Sequence, residues 1–377
     1  MHLLPEHEKF RREISEFAQT ELEPLSSKID QSGEFPLENI RKLGQRGILG
    51  MIVPKEYGGT GNDTICYAIA VEEISRVCGS TGITVAAHDS LGLYPIYLFG
   101  NEDQKKKYIP ALAAGEKLGA FGLTEPNAGS DAAGTKTTAV LNGSEYVING
   151  SKCFITNSSF ADTFVITAVT DKSKGVKGIS SFILEKGMKG FSVGKKENKM
   201  GLRGSNTAEL HFEDLRVKKE QLLGQEGDGF KQFMITLDGG RISIGAMALG
   251  IAQGALDLSI KWAKQREQFG KPIATFQAIQ WKLADMATRI EAARHLIYHA
   301  AWMKDKGLKF TKESAMAKLY ASEAGRFAAY QAIQIYGGYG YLEEYPVERY
   351  LRDVKLCEIG EGTSEIQRLV IARELLK

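Results

Sequence analysis

"TTAVLNGSEYVINGSKCFITN", residues 137–157, holds two Asn-Gly pairs, Asn142-Gly143 and Asn149-Gly150, between β-branched and aromatic runs. Asn and Gly accept the positive φ of a tight hairpin turn, so the stretch predicts paired antiparallel strands. The runs "DTFVITAVT", "ISSFILEK", "FSVGKK" and "AELHFEDLRV" continue as short strands, and the lysines of 172–177 read as a solvated turn. On both sides the pattern is helical. "HEKFRREISEFAQTEL" repeats apolar residues every three or four positions, with Pro24 expected to end it. "TICYAIAVEEISRVCGS" and "TGITVAAHDSLGLYPIYLFG" are more apolar and so expected to be more buried, and Asn101 is placed to cap the next helix. Helical periodicity returns over 229–268, 276–306, 312–336 and 365–376. The expected fold class is α+β and multidomain: an N-terminal all-helical domain over 1–118, a central antiparallel, barrel-like β domain over 119–227 and a C-terminal four-helix bundle over 228–377. That order excludes a βαβ dinucleotide fold, and no G-x-G-x-x-G occurs.

The bulk properties narrow the class. The chain has 377 residues, 43% of them hydrophobic, 25% charged, with a net charge of +2. So small an excess gives no reason to expect nucleic acid or an anionic membrane as partner. No apolar run in the sequence reads as a membrane span. Cys66, Cys78, Cys153 and Cys357 are scattered, without disulfide or metal-ligand spacing, so no metal is expected. The charged, amphipathic start has no signal-peptide core, and a cytoplasmic, bacterial protein is expected, although a mature organellar one would look the same.

Five short stretches carry candidate chemistry. In "CEIGEGTSEIQR", 357–368, Glu361 stands between Gly360 and Gly362, and Ser364 with Gln367 has the spacing of a capping box. The plainer reading is a solvated acid near a helix dipole; the sharper one is a close approach of backbone to a ligand. "FGLTEPNAGSD", 121–131, is a surface loop or a cradle of amides and hydroxyls. "CFITNSS", 153–159, ends a strand with either a core Phe or a ring for stacking on a planar group. "KQREQFGKP", 264–272, pairs Arg266 with Phe269 as a C-cap or as an anion contact, and "QIYGGYGY", 334–341, is a glycine-rich turn.

Together, in order and spacing, these stretches resemble the acyl-CoA dehydrogenase flavoenzymes over essentially the whole chain, most of all the short-chain (butyryl-CoA) branch. The resemblance implies FAD as cofactor, a homotetramer, an acyl-CoA substrate and electron-transferring flavoprotein as acceptor. Glu361 matches the family's base for the α-proton. Phe121, Leu123, Thr124 and Ser130 match the loop touching flavin and CoA, and Phe154 and Thr156 match the cover of the flavin. Arg266, Phe269 and Gln277 match positions that reach FAD across a subunit interface, with Gln334, Gly337 and Gly338 on the adenine side. Thr363 and Glu365 match the turn after the base. Asp238 and Arg241 match CoA contacts, their plainer reading being a helix-surface ion pair. Gly360 stands where relatives commonly carry Tyr, and Asp89 where they carry a neutral residue. Gly360 raises the expectation of a wide pocket for a branched or alicyclic acyl group, and Asp89 is either hydrogen-bonded locally beside His88 or a second acid/base for 1,4-dehydrogenation of a cyclohexene-carboxyl-CoA type substrate. An oxidase and a catalytically silent CoA-binding relative are the alternative readings, and the retained Glu361, Thr124, Thr156 and Arg266 argue against the latter.

Overall fold

The computed structural model describes residues 3–377. Seven helices come first: α1 (Pro5–Phe17), α2 (Glu23–Ser32), α3 (Leu37–Gln45), α4 (Thr64–Val77), α5 (Gly79–Ala87), α6 (Tyr94–Phe99) and α7 (Glu102–Ala113). Pro24 does not end the first helix as expected. A π turn at Ala18–Leu22 ends it, and Pro24 lies in the first turn of α2, where its missing N–H costs nothing. Asn101 does cap α7, accepting from the Gln104 amide at 2.9 Å while Gln104 answers with its own side chain. At the start of α4, Asp63 Oδ1 accepts from the Cys66 amide and Oδ2 from His7 Nε2, both at 2.8 Å. His7 Nδ1 accepts from the Leu4 amide, which places the proton on Nε2 and makes the cluster a clasp between α1 and α4.

Eight strands form one sheet: β1 (Gly119–Gly122), β2 (Thr138–Asn142), β3 (Glu145–Thr156), β4 (Thr163–Val169), β5 (Ile179–Glu185), β6 (Phe191–Lys196), β7 (Thr207–Lys218) and β8 (Leu222–Leu223). Their order is β6-β7-β3-β2-β4-β5-β8, with β1 added beside β4. Asn142↔Glu145 closes the hairpin at the first Asn-Gly pair. The second pair lies inside β3 instead, at a register shift against β7, so Gly150 makes a bulge rather than a turn. Pairings are antiparallel except at β4, which meets β1 and the start of β2 in parallel.

The remaining helices are α8 (Gly229–Gln265), α9 (Gln277–Asp305), α10 (Thr311–Tyr336), α11 (Val347–Val354) and α12 (Ser364–Leu375), with β9 (Glu267–Gln268) and β10 (Lys271–Pro272) pairing in the turn after α8. Unlike the reading of the sequence, α8 is long and apolar enough to cross a membrane by length and composition. Its window is 83% buried within the protein, against α4, α9 and α10, which is the signature of a core helix. Gly250 and Gly254 let α4 in: a Cβ at either would fall within 2.3 Å of the Glu72 or Arg76 carbonyl. As a result, the two helical blocks, separated by the whole β domain in sequence, share one continuous core running from Ile14 and Ile69 to Met247, Ala321 and Val354. The sheet has its own, built on Ile148, Phe164, Phe182 and Leu210.

Candidate active site

Glu361 lies between a 3₁₀ turn (Lys355–Glu358) and α12, with φ +52°, followed by Gly362 at φ +92°. A non-glycine residue in the left-handed region costs on the order of 1 kcal/mol and is kept where the surroundings hold it. Here Gln367, fully buried, donates to the Glu361 carbonyl at 3.2 Å and to the Gly362 carbonyl at 2.9 Å. Lys318, from α10, donates to the Gly362 carbonyl as well. Thr363 rather than Ser364 is the N-cap, its Oγ1 accepting from the Ile366 amide at 3.3 Å, so the expected capping box does not form and Gln367 is free to hold the turn. The two glycines differ in cause. Gly362 is demanded by its backbone, whereas a Cβ at Gly360 would meet nothing nearer than Leu356 at 3.5 Å, so the missing side chain there is simply room.

The carboxylate points at α8. Its Oε2 is buried without a hydrogen-bond partner and lies so close to Gly240 that a Cβ there would come within 2.0 Å. Burial pushes the Glu361 carboxyl up to about 7, moderated by the positive charges of Lys318 and Arg241. Arg241 is itself only 2% exposed and its Nη1 binds Asp238 Oδ1 at 2.5 Å, while Thr311 Oγ1 donates to Asp238 Oδ2 at 2.6 Å. The pair therefore forms as expected, but Arg241 faces inward beside Glu361 rather than outward as an open contact for CoA. Its stem is covered by the bundle, and only Asp238 reaches the surface.

Asp89 occupies a π turn at His88–Leu93. It is fully buried, both carboxyl oxygens lack hydrogen-bond partners, and burial alone holds its pKa well above the usual carboxylate range. The expected local bond to His88 is absent. His88 Nδ1 accepts from the Gly119 amide at 3.0 Å and Nε2 faces the Leu49 and Leu112 carbonyls at 3.1 Å, leaving nothing for Asp89. Gly92 packs on the same strand, a Cβ there falling 2.6 Å from the Gly119 backbone, so the wide turn is locked against β1. Tyr67 of α4, also fully buried, donates to the Ala86 carbonyl at 3.1 Å and feels the charges of both Asp89 and Glu361, which places the two acids on one interior region.

The β domain supplies an adjacent edge, tied to α5 by Asn157 Nδ2 donating to the Thr84 carbonyl at 3.1 Å. A second register shift in β3, between Lys152 and Ile155, turns Phe154 outward with φ +59° and leaves it 67% exposed. The loop 121–131 is held from below. Lys152, with no exposed surface, donates to Glu125 Oε1 at 2.7 Å and to the Leu123 carbonyl at 3.1 Å, and Cys153 N–H donates to the Thr124 carbonyl at 2.8 Å. Glu125 also accepts from the Lys136 and Thr137 amides, and against burial the Lys152 charge first, then its hydrogen bonds, holds the Glu125 carboxyl at about 2. Phe121, Leu123, Thr124 and Thr156 are half-buried on this edge and Ser130 is exposed.

Arg266, Phe269, Gln277, Gln334, Gly337 and Gly338 gather elsewhere. Arg266 lies over the Tyr339 ring at 5.2 Å, in a cleft of about 350 Å³ that Trp262, Gln268, Gly337 and Gly338 also line. Phe269, at φ +53°, is 93% exposed. Gly240 and the end of α8 at Gln265 are twenty-five residues apart, roughly 37 Å at the helical rise, so one chain does not bring this group to Glu361. Glu365 is exposed in the first turn of α12. Lys318, Lys152 and Tyr67 were missed in the sequence. Only burial distinguishes them, and a lysine within a helical or strand period carries no such signal.

Models of the N-terminal, middle and C-terminal domains of acyl-CoA dehydrogenases match residues 4–116, 120–215 and 227–376. A probable acyl-CoA dehydrogenase of Bacillus subtilis is 57% identical over 376 residues, covering 100% of this chain and 99% of its own. A chain solved in a study of the electron transferring flavoprotein of Acidaminococcus fermentans superposes with TM-score 0.99 at 52% identity, covering 100% of this chain and 99% of its own. Butyryl-CoA dehydrogenase of Megasphaera elsdenii superposes with TM-score 0.98 at 48% identity and full coverage of both chains. An acyl-CoA dehydrogenase of Bacillus anthracis complexed with FAD gives 0.94 at 40%, covering 99% of this chain and 67% of its own.

Proposed function

The chain belongs to the acyl-CoA dehydrogenase family, and from that premise we propose that it is a short-chain, FAD-dependent acyl-CoA dehydrogenase whose pocket takes a branched or alicyclic acyl group. The residues present fit FAD. Phe154 and Phe269 are large rings held outward on left-handed backbone, and Gly129, Gly337 and Gly338 leave open space where a Cβ would stand. Phe154, Thr124 and Thr156 would hold it on the chain's own side. Arg266, Phe269 and Gln334 would hold it from another subunit, which is why a homotetramer belongs to the proposal. When bound, FAD takes up the hydride equivalent from the β-carbon and passes electrons onward. Electron-transferring flavoprotein is the proposed acceptor, supported by the Acidaminococcus relative.

Glu361 removes the α-proton. The α-carbanion of a thioester is reached only if its carbonyl oxygen is polarised. The Glu361 amide donates to no group among the described residues and is free to do so. A carboxylate in water is too weak a base for this proton. With its pKa pushed up to about 7, Glu361 is a stronger base and still about half ionised at neutral pH.

What carries the acyl-group reading is Asp89, a buried carboxyl with no partner in the same interior as the base, together with the room at Gly360. Unfilled apolar space forfeits contacts, so a wider group fits better than a slim chain. On a cyclohexene-type acyl-CoA, Asp89 would take a ring γ-proton while hydride leaves the carbon para to it, giving the conjugated diene. The test is flavin bleaching and product analysis for Asp89→Asn and wild type with butyryl-, isobutyryl-, cyclohexanecarboxyl- and cyclohexenecarboxyl-CoA. Selective loss of diene formation is expected. Identical behaviour on every substrate would make Asp89 structural.

A further inference from the structure

Lys318 is a buried ammonium at the base, and nothing in the reaction described so far uses it. It comes from the middle of α10 with no exposed surface, and it donates to the carbonyl of Gly362, the residue after the base. A lysine in such a place is expensive unless its charge is met. Arg241, the other cation acting on Glu361, is neutralised by Asp238 at 2.5 Å. Lys318 has no carboxylate within ion-pair distance among the described residues, so its charge is left to act on its surroundings. The titratable groups around Glu361 are Tyr67 from α4, Asp89 from the π turn at His88–Leu93, Asp238 and Arg241 from α8, Lys318 from α10, and Cys357 and Glu358 from the preceding 3₁₀ turn.

We propose that Lys318 is the positioning residue of the Glu361 base: it clamps the left-handed 361–362 turn through the Gly362 carbonyl and brings an unpaired buried ammonium to the turn that carries the carboxylate. This rests on Glu361 being the base. Two demands oppose each other at that residue. Dryness makes it strong but protonated, and a nearby cation restores the ionised fraction at some cost in strength, with the best balance near the working pH. Lys318 is the largest of the effects opposing burial at Glu361, and burial in turn draws Lys318 itself down to about 8.

The test is kcat/KM against pH for FAD-loaded Lys318→Met and Lys318→Gln, with flavin content and thermal melting measured on the same samples. Both variants should move the acid limb upward by about one pH unit or more, as removal of a close opposite charge does. Near pH 6 that is roughly a tenfold loss. Lys318→Gln keeps a donor for the Gly362 carbonyl and should approach the wild-type plateau at high pH, whereas Lys318→Met should fall short of it. If Lys318→Met does not fold, Lys318→Gln carries the test. Folded, FAD-loaded variants with the wild-type acid limb would overturn the proposal. Glu361→Gln is run alongside: if it keeps turnover, the base lies elsewhere and the proposal falls with its premise. If it loses turnover while the Lys318 limb stays put, only the role of Lys318 falls.

Discussion

Glu361 stands out in the sequence because its neighbours are glycines, but what faces it lies far away in the chain. Gly240 is the clearest case: one residue of a smooth apolar helix, it is the surface on which Oε2 rests. Replacing it by Ala favours the helix by up to about 1 kcal/mol and meets only a side chain, so the fold should survive. The base, however, must move. Gly240→Ala should keep or raise the melting temperature and retain FAD while turnover falls about 10²-fold, the usual cost of displacing a reacting group by about 1 Å. Calorimetry and steady-state assay on one preparation check both halves, and full activity would mean the carboxylate swings elsewhere when substrate is bound.

Among elements, the loop 121–131 shows how a flexible-looking segment is made rigid. Its Gly, Asn and Pro content reads as a surface loop, yet Glu125 and Lys152 pin it to the strand beneath through a pair that hides from solvent. Removing one partner of such a pair leaves the other charge buried alone and costs about 3–5 kcal/mol, while replacing both is far milder. Lys152→Met should therefore lower the melting temperature sharply and release FAD. Lys152→Met with Glu125→Gln should recover most of the stability, yet bind FAD more weakly than wild type because the Leu123 carbonyl has lost its donor. Flavin fluorescence during thermal melting reads both quantities, and equal losses in the single and double variants would contradict the ion-pair account.

For the whole molecule, the distance along α8 bears on the proposed assembly. Arg266 and Phe269 follow the C-terminal end of α8, and Gly240, which faces Glu361, lies twenty-five residues before that end, so a cofactor contacting both would have to bridge two copies. Phe269→Ala removes a ring that is 93% exposed in one chain and should hardly change the stability of the apoprotein, yet FAD affinity should drop and the proposed tetramer loosen. Analytical ultracentrifugation with and without FAD measures this, and unchanged assembly with unchanged FAD binding would place the cofactor within one chain.

The order helical–β–helical, the Asn142-Gly143 hairpin and the cap at Asn101 were legible in the sequence, because each depends on neighbours within a few residues. Pro24, the bulge at Gly150 and the cap at Thr363 were misread by one step, since proline, glycine and hydroxyl signals mark a change of backbone without saying which. Everything that tunes the site was left to tertiary structure. The shared core of α4 and α8, the inward turn of Arg241, the solitary Asp89 and the ammonium of Lys318 all come from segments more than forty residues from Glu361. Periodicity tells which face of a helix is buried. It does not tell what that face meets, and desolvation, which sets the strength of a buried acid, depends on what it meets.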